Sequence, residues 1–201
     1  MENISSRSEI QGAKPSQQDK TVQEIIIFST GGTIDKIYNE GTGNLENRGP
    51  IIERQLLDLL RLPYSKLDLI PIMSKDSLYM DQNDRVKILE TIKFHQPRAV
   101  PMIVLHGTDT MEHTARYCQE NLANLRSPVI FTGAMKPFGF SDSDAIQNVT
   151  EALIAAKLLN PGVYISFHSR IFDAMHVRKN KDIMTFESHN SFPTEKASEH
   201  L

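Results

Sequence analysis

Short runs of β-branched, apolar residues alternate along this chain with longer segments whose apolar residues recur every three or four positions. That alternation leaves few folds open, because a strand, a helix and a second strand in succession make a parallel crossover. Glu24-Ile25-Ile26-Ile27-Phe28-Ser29 has the length and side-chain density of a strand buried on both faces. Residues 51–61 follow Gly49-Pro50, repeat Ile52, Leu56, Leu59 and Leu60, and stop before Pro63, which predicts a helix. Residues 67–73 read as a strand that Pro71 confines to a sheet edge. Residues 84–94 place Val86, Leu89 and Ile92 on one helical face, and residues 100–105 read as another buried strand. The clearest helix spans 110–125, with Met111, Ala115, Cys118, Leu122 and Leu125 in one stripe. Residues 128–131 and 163–167 are strands, and between them 144–160 form a helix closed by Asn160-Pro161-Gly162. The expected fold is a single α/β domain, a mostly parallel sheet sandwiched by helices in the flavodoxin-like or Rossmann-like manner. It occupies residues 24–187, after a disordered leader over 1–23 and before a polar tail over 188–201.

Composition removes several functions. Of 201 residues, 39% are hydrophobic and 23% charged, enough for one packed core. The net charge of −3, aromatics at 7% and the absence of Trp give no basic surface or stacking platform for nucleic acid. Cys118 is the only cysteine, which excludes an internal disulfide framework and a thiolate zinc cage. No apolar run reaches membrane-spanning length, and residues 1–24 hold no apolar core of a secretory signal. A soluble, cytoplasmic protein without membrane partners is expected. The seven histidines never form a His-x-x-x-His pair on a helix, so no metal site is expected.

In such sheets ligands bind beyond the carboxyl ends of the strands. Ser29-Thr30-Gly31-Gly32-Thr33-Ile34-Asp35 follows the first strand, and Ser74-Lys75-Asp76-Ser77 follows the second. His106-Gly107-Thr108-Asp109-Thr110-Met111-Glu112 follows the third, and Thr132-Gly133-Ala134-Met135-Lys136-Pro137 the fourth. Each cluster alone is an ordinary turn; four clusters of hydroxyl, glycine and carboxylate at one rim point to a polar ligand. Phosphate cradles fail on spacing. No P-loop is present, and Gly41-Thr42-Gly43 starts a dinucleotide fingerprint that Glu46 breaks. Residues 41–46 are similar to a flavodoxin phosphate loop but lie too far past the first strand to use a strand-to-helix dipole. The Gly-x-Ser-x-Gly elbow of many hydrolases is missing.

Thr30-Gly31-Gly32-Thr33-Ile34, His106-Gly107-Thr108-Asp109-Thr110-Met111-Glu112, and Thr132-Gly133-Ala134-Met135 with Ser141-Asp142-Ser143-Asp144 resemble, in order and rough spacing, the bacterial-type L-asparaginase family. The resemblance continues through Asp173-Ala174-Met175-His176-Val177-Arg178-Lys179-Asn180 and covers about Ile25 to Phe186. It implies an amidohydrolase that releases aspartate and ammonia from L-asparagine, without metal or cofactor, as a homo-oligomer. It further implies Thr33 as nucleophile behind Gly32, and Tyr38 as the tyrosine that assists it. Ser77 is the implied holder of the substrate α-carboxylate, with Asp76 lining the pocket. Thr108 and Asp109 are the implied pair for activation and for the α-amino group, and Lys179 completes the Thr-Lys-Asp set. Longer family members add a smaller C-terminal domain, which supplies polar groups to a neighbour's site. The resemblance here is to the larger domain alone and implies a short single-domain form. Arg178 stands where longer relatives usually carry threonine.

The chemistry of these residue types agrees. A threonine hydroxyl needs a base to accept its proton, and a lysine with a depressed pKa is one. Backbone N–H groups around Gly32, Thr33 and Thr108 suit an oxyanion. An aspartate for an ammonium and a serine donor for a carboxylate suit a zwitterionic amino acid. Apart from the resemblance, Lys179 reads as a solvated turn cation, Tyr38 as a loop aromatic, His106 as a local hydrogen-bonder, Asp109 as a helix cap, and Cys118 as core. The residues leave open a broader asparagine/glutamine amidase, or a non-catalytic flavodoxin-like or amino-acid-binding module.

Overall fold

The computed structural model describes residues 22–47 and 51–189. The leader expected over 1–23 and the tail expected over 188–201 therefore lie outside the described residues, except at their inner ends.

Five parallel strands form the sheet: β1 (Gln23–Ser29), β4 (Ser65–Pro71), β5 (Met102–Leu105), β6 (Val129–Thr132) and β7 (Val163–Phe167). A sixth, β8 (Arg170–Asp173), runs antiparallel to β7, and the spatial order is β4-β1-β5-β6-β7-β8. The apolar runs explain why the interior strands are covered on both sides. Ile26, Phe28, Met102, Val104 and Phe131 pack on one face against Ile88, Ile92, Met111, Ala115 and Cys118 of α2 (Gln82–His95) and α3 (Met111–Asn121). Ile25, Ile27, Ile103 and Ile130 pack on the other against Leu56 of α1 (Ile51–Asp58) and Val149, Ala152 and Leu153 of α4 (Ala145–Leu158). Each fully buried isoleucine stabilises the sandwich by about 1.5–3 kcal/mol.

Pro71 ends β4, which is an edge strand as its proline requires. The helices differ from the sequence pattern at their ends: α1 stops at Asp58 rather than 61 and α4 spans 145–158 rather than 144–160, and two other ends have a visible contact beside them. α2 begins at Gln82 rather than 84, because Asp81 and Asp84 form a reciprocal capping box there. α3 stops at Asn121 although the apolar stripe runs on to Leu125; Gln96 Nε2 instead holds the carbonyls of Ala123 and Asn124, at 2.8 and 2.9 Å.

Two small antiparallel pairs lie outside the sheet. β2 (Lys36–Asn39) and β3 (Asn44–Asn47) form a hairpin that carries Tyr38, which the sequence reads as a loop aromatic. Its turn is braced by Asn39 and Thr42, which both donate to Glu46. β9 (Val177–Asn180) and β10 (Thr185–Ser188) form the second pair, anchored in the core through Val177 and Phe186.

Candidate active site

The parallel strands all end at one rim, and backbone hydrogen bonds lock their trailing loops together. Thr30 gives both its N–H and its hydroxyl to the Leu105 carbonyl, Lys75 N–H donates to Thr30 O, and His106 N–H donates to Thr132 O. Gly31 and Gly32 adopt φ of 91° and 104°, which side-chain-bearing residues rarely reach. A Cβ on Gly32 would fall 2.6 Å from Gly107 Cα, and one on Gly107 would fall 2.5 Å from Ser77 Oγ. The loops after β1, β4 and β5 thus touch through glycine, bringing Gly32, Ser77 and Gly107 into one contact.

Thr33 opens a 3-10 turn (Thr33–Asp35) directly beyond this contact. It is half-buried, and its hydroxyl makes no hydrogen bond with a described residue. Ser77 is buried, and its Oγ likewise has no partner among the described residues. Thr108 is also buried. Lys179 reaches the rim from β9: its Nζ donates to Thr108 Oγ1 at 2.8 Å and to Asp109 Oδ1 at 2.8 Å. The lysine side chain is only 10% exposed, against 31% for Asp109. Lys179 is therefore no solvated turn cation. Asp109 does not cap α3, whose N-cap is Thr110; its carboxylate faces the lysine instead. A lysine that donates to a threonine oxygen leaves the hydroxyl proton free to point elsewhere.

Asp76 is engaged on both oxygens. Oδ2 takes Lys36 Nζ at 2.5 Å and Oδ1 takes the Leu78 N–H at 3.0 Å. Burial alone would raise its carboxyl, but Lys36 and the Leu78 N–H outweigh burial and hold it below the usual range. Tyr38 sits on the hairpin, 58% exposed. Its hydroxyl lies 4.0 Å from where a Gly43 Cβ would stand, at the turn, and it forms no hydrogen bond to Thr33. The structure thus gathers Gly32, Ser77, Thr108, Asp109 and Lys179 with the Thr33 turn, and leaves Tyr38 apart.

His106 bonds locally, its Nδ1 lying 2.7 Å from Gly107 O. Burial, with the Arg85 charge adding to it, lowers its pKa to about 4, so the ring is neutral at physiological pH. Arg178 is paired with Glu187 Oε1 at 2.7 Å, a partner no sequence pattern announces.

Three residues at the rim carry no signal of their own in the sequence. Glu112 accepts the Lys179 backbone N–H and so holds β9 in register with α3. Asn47, with its amide turned to suit its neighbours, donates to Asp35 Oδ1 and Gly32 O and accepts from Asp76 N–H, clasping the hairpin base to the rim. Glu53 is buried and accepts the Ser29 hydroxyl at 2.5 Å, directly beneath the glycine loop. Only Glu112 lies inside a recognisable motif. Among the described residues no group of three or more His, Cys, Asp or Glu side chains is placed to hold a metal, and no helix is long and apolar enough to cross a membrane.

Residues 24–200 match the family described as Asparaginase, N-terminal. An L-asparaginase of Thermococcus kodakarensis is 29% identical over 157 residues, covering 78% of this chain and 47% of that protein. A glutamyl-tRNA(Gln) amidotransferase component from Nanoarchaeum equitans is 30% identical over 174 residues, covering 86% of this chain and 43% of its own length. The solved structure of the thermostable Thermococcus kodakarensis L-asparaginase superposes with a TM-score of 0.74 at 27% identity, covering 83% of this chain and 51% of that one. The chain spans about half the length of the proteins it matches.

Proposed function

The chain belongs to the asparaginase family, and from that premise we propose that it hydrolyses the side-chain amide of L-asparagine to L-aspartate and ammonia. Thr33 Oγ attacks the amide carbon, and its proton leaves through the Tyr38 hydroxyl or the Thr108–Lys179 pair. The oxyanion faces backbone N–H groups of the Gly32, Thr33 and Thr108 loops. The amide nitrogen departs protonated as ammonia, leaving an acyl ester on Thr33. Water, activated by the same groups, then releases aspartate.

The substrate's charged ends suit what the rim leaves open. Asp109 gives Oδ1 to Lys179 and keeps Oδ2 for an α-ammonium. The buried Ser77 hydroxyl, without a protein partner among the described residues, is a donor in reserve for the α-carboxylate. Asp76, engaged by Lys36, lines the pocket as a fixed charge. Tyr38 joins when the hairpin folds over bound substrate.

The observation that carries the reading is the bonding of Lys179 to both Thr108 and Asp109 beside the Gly32–Gly107 contact. Ammonia release from asparagine by the purified protein tests it; a colourless, folded protein that releases none would return the chain to the amino-acid-binding reading. A second reading, an amidase that also takes glutamine, is favoured by the similarity to the glutamyl-tRNA(Gln) amidotransferase component, and glutamine run beside asparagine separates the two. We further place the protein in the cytoplasm as a homo-oligomer. Ile154, Leu158 and Ile171, exposed along a groove of about 320 Å³ beside β8, support self-association. Light scattering checks the oligomer.

A further inference from the structure

A cavity of about 390 Å³ lies between α2 and α3, away from the proposed substrate pocket. Gln82 and Arg85 line it from α2, and His113, Arg116, Tyr117 and Glu120 line it from α3. Spacings of three and four residues put each set on one helical face, so both rows turn toward the same space. We propose that this cavity is a binding site for a small phosphate-class oxyanion, held between the Arg85 and Arg116 guanidiniums.

The state of the cations argues for it. Lys36, Lys75, Arg98, Arg178 and Lys179 each have a carboxylate partner. Arg85 and Arg116 make no hydrogen bond or salt bridge with a described residue, although the Arg85 charge reaches the neighbouring Asp84 carboxylate, which Lys75 already holds, and both arginines are half-buried and line one cavity. Arg85 Nε is buried without a partner, which leaves a charged donor lacking both water and an acceptor. Behind it, the Nε2 of His106 is also buried and without a partner. Burial, reinforced by the Arg85 charge, keeps that imidazole neutral. The Arg85 side chain thus faces a neutral ring and lines an open cavity, and no carboxylate forms a salt bridge with it among the described residues.

Chemical type follows from the donors. Two guanidiniums present planar forks that match phosphate oxygens, where lysines would offer only point charges. The Tyr117 hydroxyl and Gln82 amide add neutral donors. Glu120 also lines the cavity and opposes an anion, while the two guanidiniums together outweigh its single charge. The proposal does not rest on the amide-hydrolysis reading and stands or falls without it.

The test uses the whole chain and inorganic phosphate, titrated against chloride at constant ionic strength, with melting temperature and ³¹P linewidth as readouts. A saturable stabilisation at roughly millimolar phosphate is expected, as suits two guanidiniums open to water. It should vanish in the Arg85→Gln/Arg116→Gln double variant and persist in Arg61→Gln, which removes an exposed arginine elsewhere. Glu120→Gln, a change at an exposed position that spares the fold, should tighten binding about two- to fivefold by lifting one repulsive charge. An unsaturable response, a saturable one that survives in the double variant, or an equal response to succinate would overturn the proposal. If the double variant fails to fold, Glu120→Gln decides: tighter binding supports the site, and unchanged affinity removes it.

Discussion

Lys179 Nζ lies 2.8 Å from Thr108 Oγ1, although the two residues are 71 positions apart in the chain. The ammonium, on a side chain only 10% exposed, is held there by Thr108 and Asp109 together. Lys179→Met is expected to lower kcat for ammonia release by roughly two to four orders of magnitude, the usual worth of a positioned acid–base group. Lys181→Met removes the same charge two residues on, in the exposed β9–β10 turn, and should stay within about 0.5 kcal/mol in stability and near the parent in rate. Equal rates for the two variants at saturating asparagine would refute the Thr108–Lys179–Asp109 assignment.

Thr33→Ala should abolish turnover while aspartate still binds. The hydroxyl has no hydrogen-bond partner among the described residues, so its loss should change stability by no more than about 0.5 kcal/mol. Ammonia assays paired with calorimetric titration of aspartate check this; residual turnover near the parent's would take Thr33 out of the chemistry.

Gly32→Ala meets two penalties, a φ of 104° and a Cβ only 2.6 Å from Gly107 Cα. A loss of about 1–3 kcal/mol in urea unfolding is expected from each source of strain. Gly139→Ala is the control, since a Cβ there meets nothing within 4 Å. Similar midpoints for the two alanine variants would contradict the close approach of the loops.

Glu53 makes stability depend on pH. Burial pushes its carboxyl above the ordinary value, against the lowering effect of the Ser29 hydroxyl. The folded state therefore holds a proton that the unfolded chain releases earlier. The resulting stability is full below the unfolded pKa and declines as pH rises toward the folded one, by at most about 1.4 kcal/mol per pH unit. Glu53→Gln keeps the shape without the titration. Its melting temperature should gain on the parent's as pH rises through that window, and parallel curves would show that Glu53 is not the group responsible.

Aspartate, the expected product, should slow proteolytic cleavage in the turn between β2 and β3, because closure of the hairpin brings Tyr38 toward Thr33. Cleavage at the same rate with and without aspartate would remove the closing hairpin from the mechanism.

The parallel strands were legible in the sequence wherever both faces are apolar. Ile25-Ile26-Ile27-Phe28 cannot be anything but interior, and the polar clusters trailing such strands located the rim. The four-residue strands that mix charge with apolar residues were not legible. Arg170-Ile171-Phe172-Asp173 and Val177-Arg178-Lys179-Asn180 mix charge with apolar residues over too short a span for any period to emerge. The reversal into β8 is made by His168 and Ser169 at φ of 45° and 61°, where no glycine marks the turn. The end of α3 was hidden because the segment after it is held by Gln96, distant in sequence. At the site, motif residues could be named one by one. Contacts such as Asn47 on Gly32 O exist only once the hairpin folds back, and no local pattern encodes them.

The β9–β10 pair has a consequence for the order in which the protein becomes competent. Everything that shapes the rim up to Gly133 is made before Lys179 leaves the ribosome, and the lysine arrives only when Val177 and Phe186 dock into the core. A domain folds as a unit, so under the proposed mechanism a nascent chain that has not yet exposed Lys179 holds the threonine segments without the group assigned to activate them.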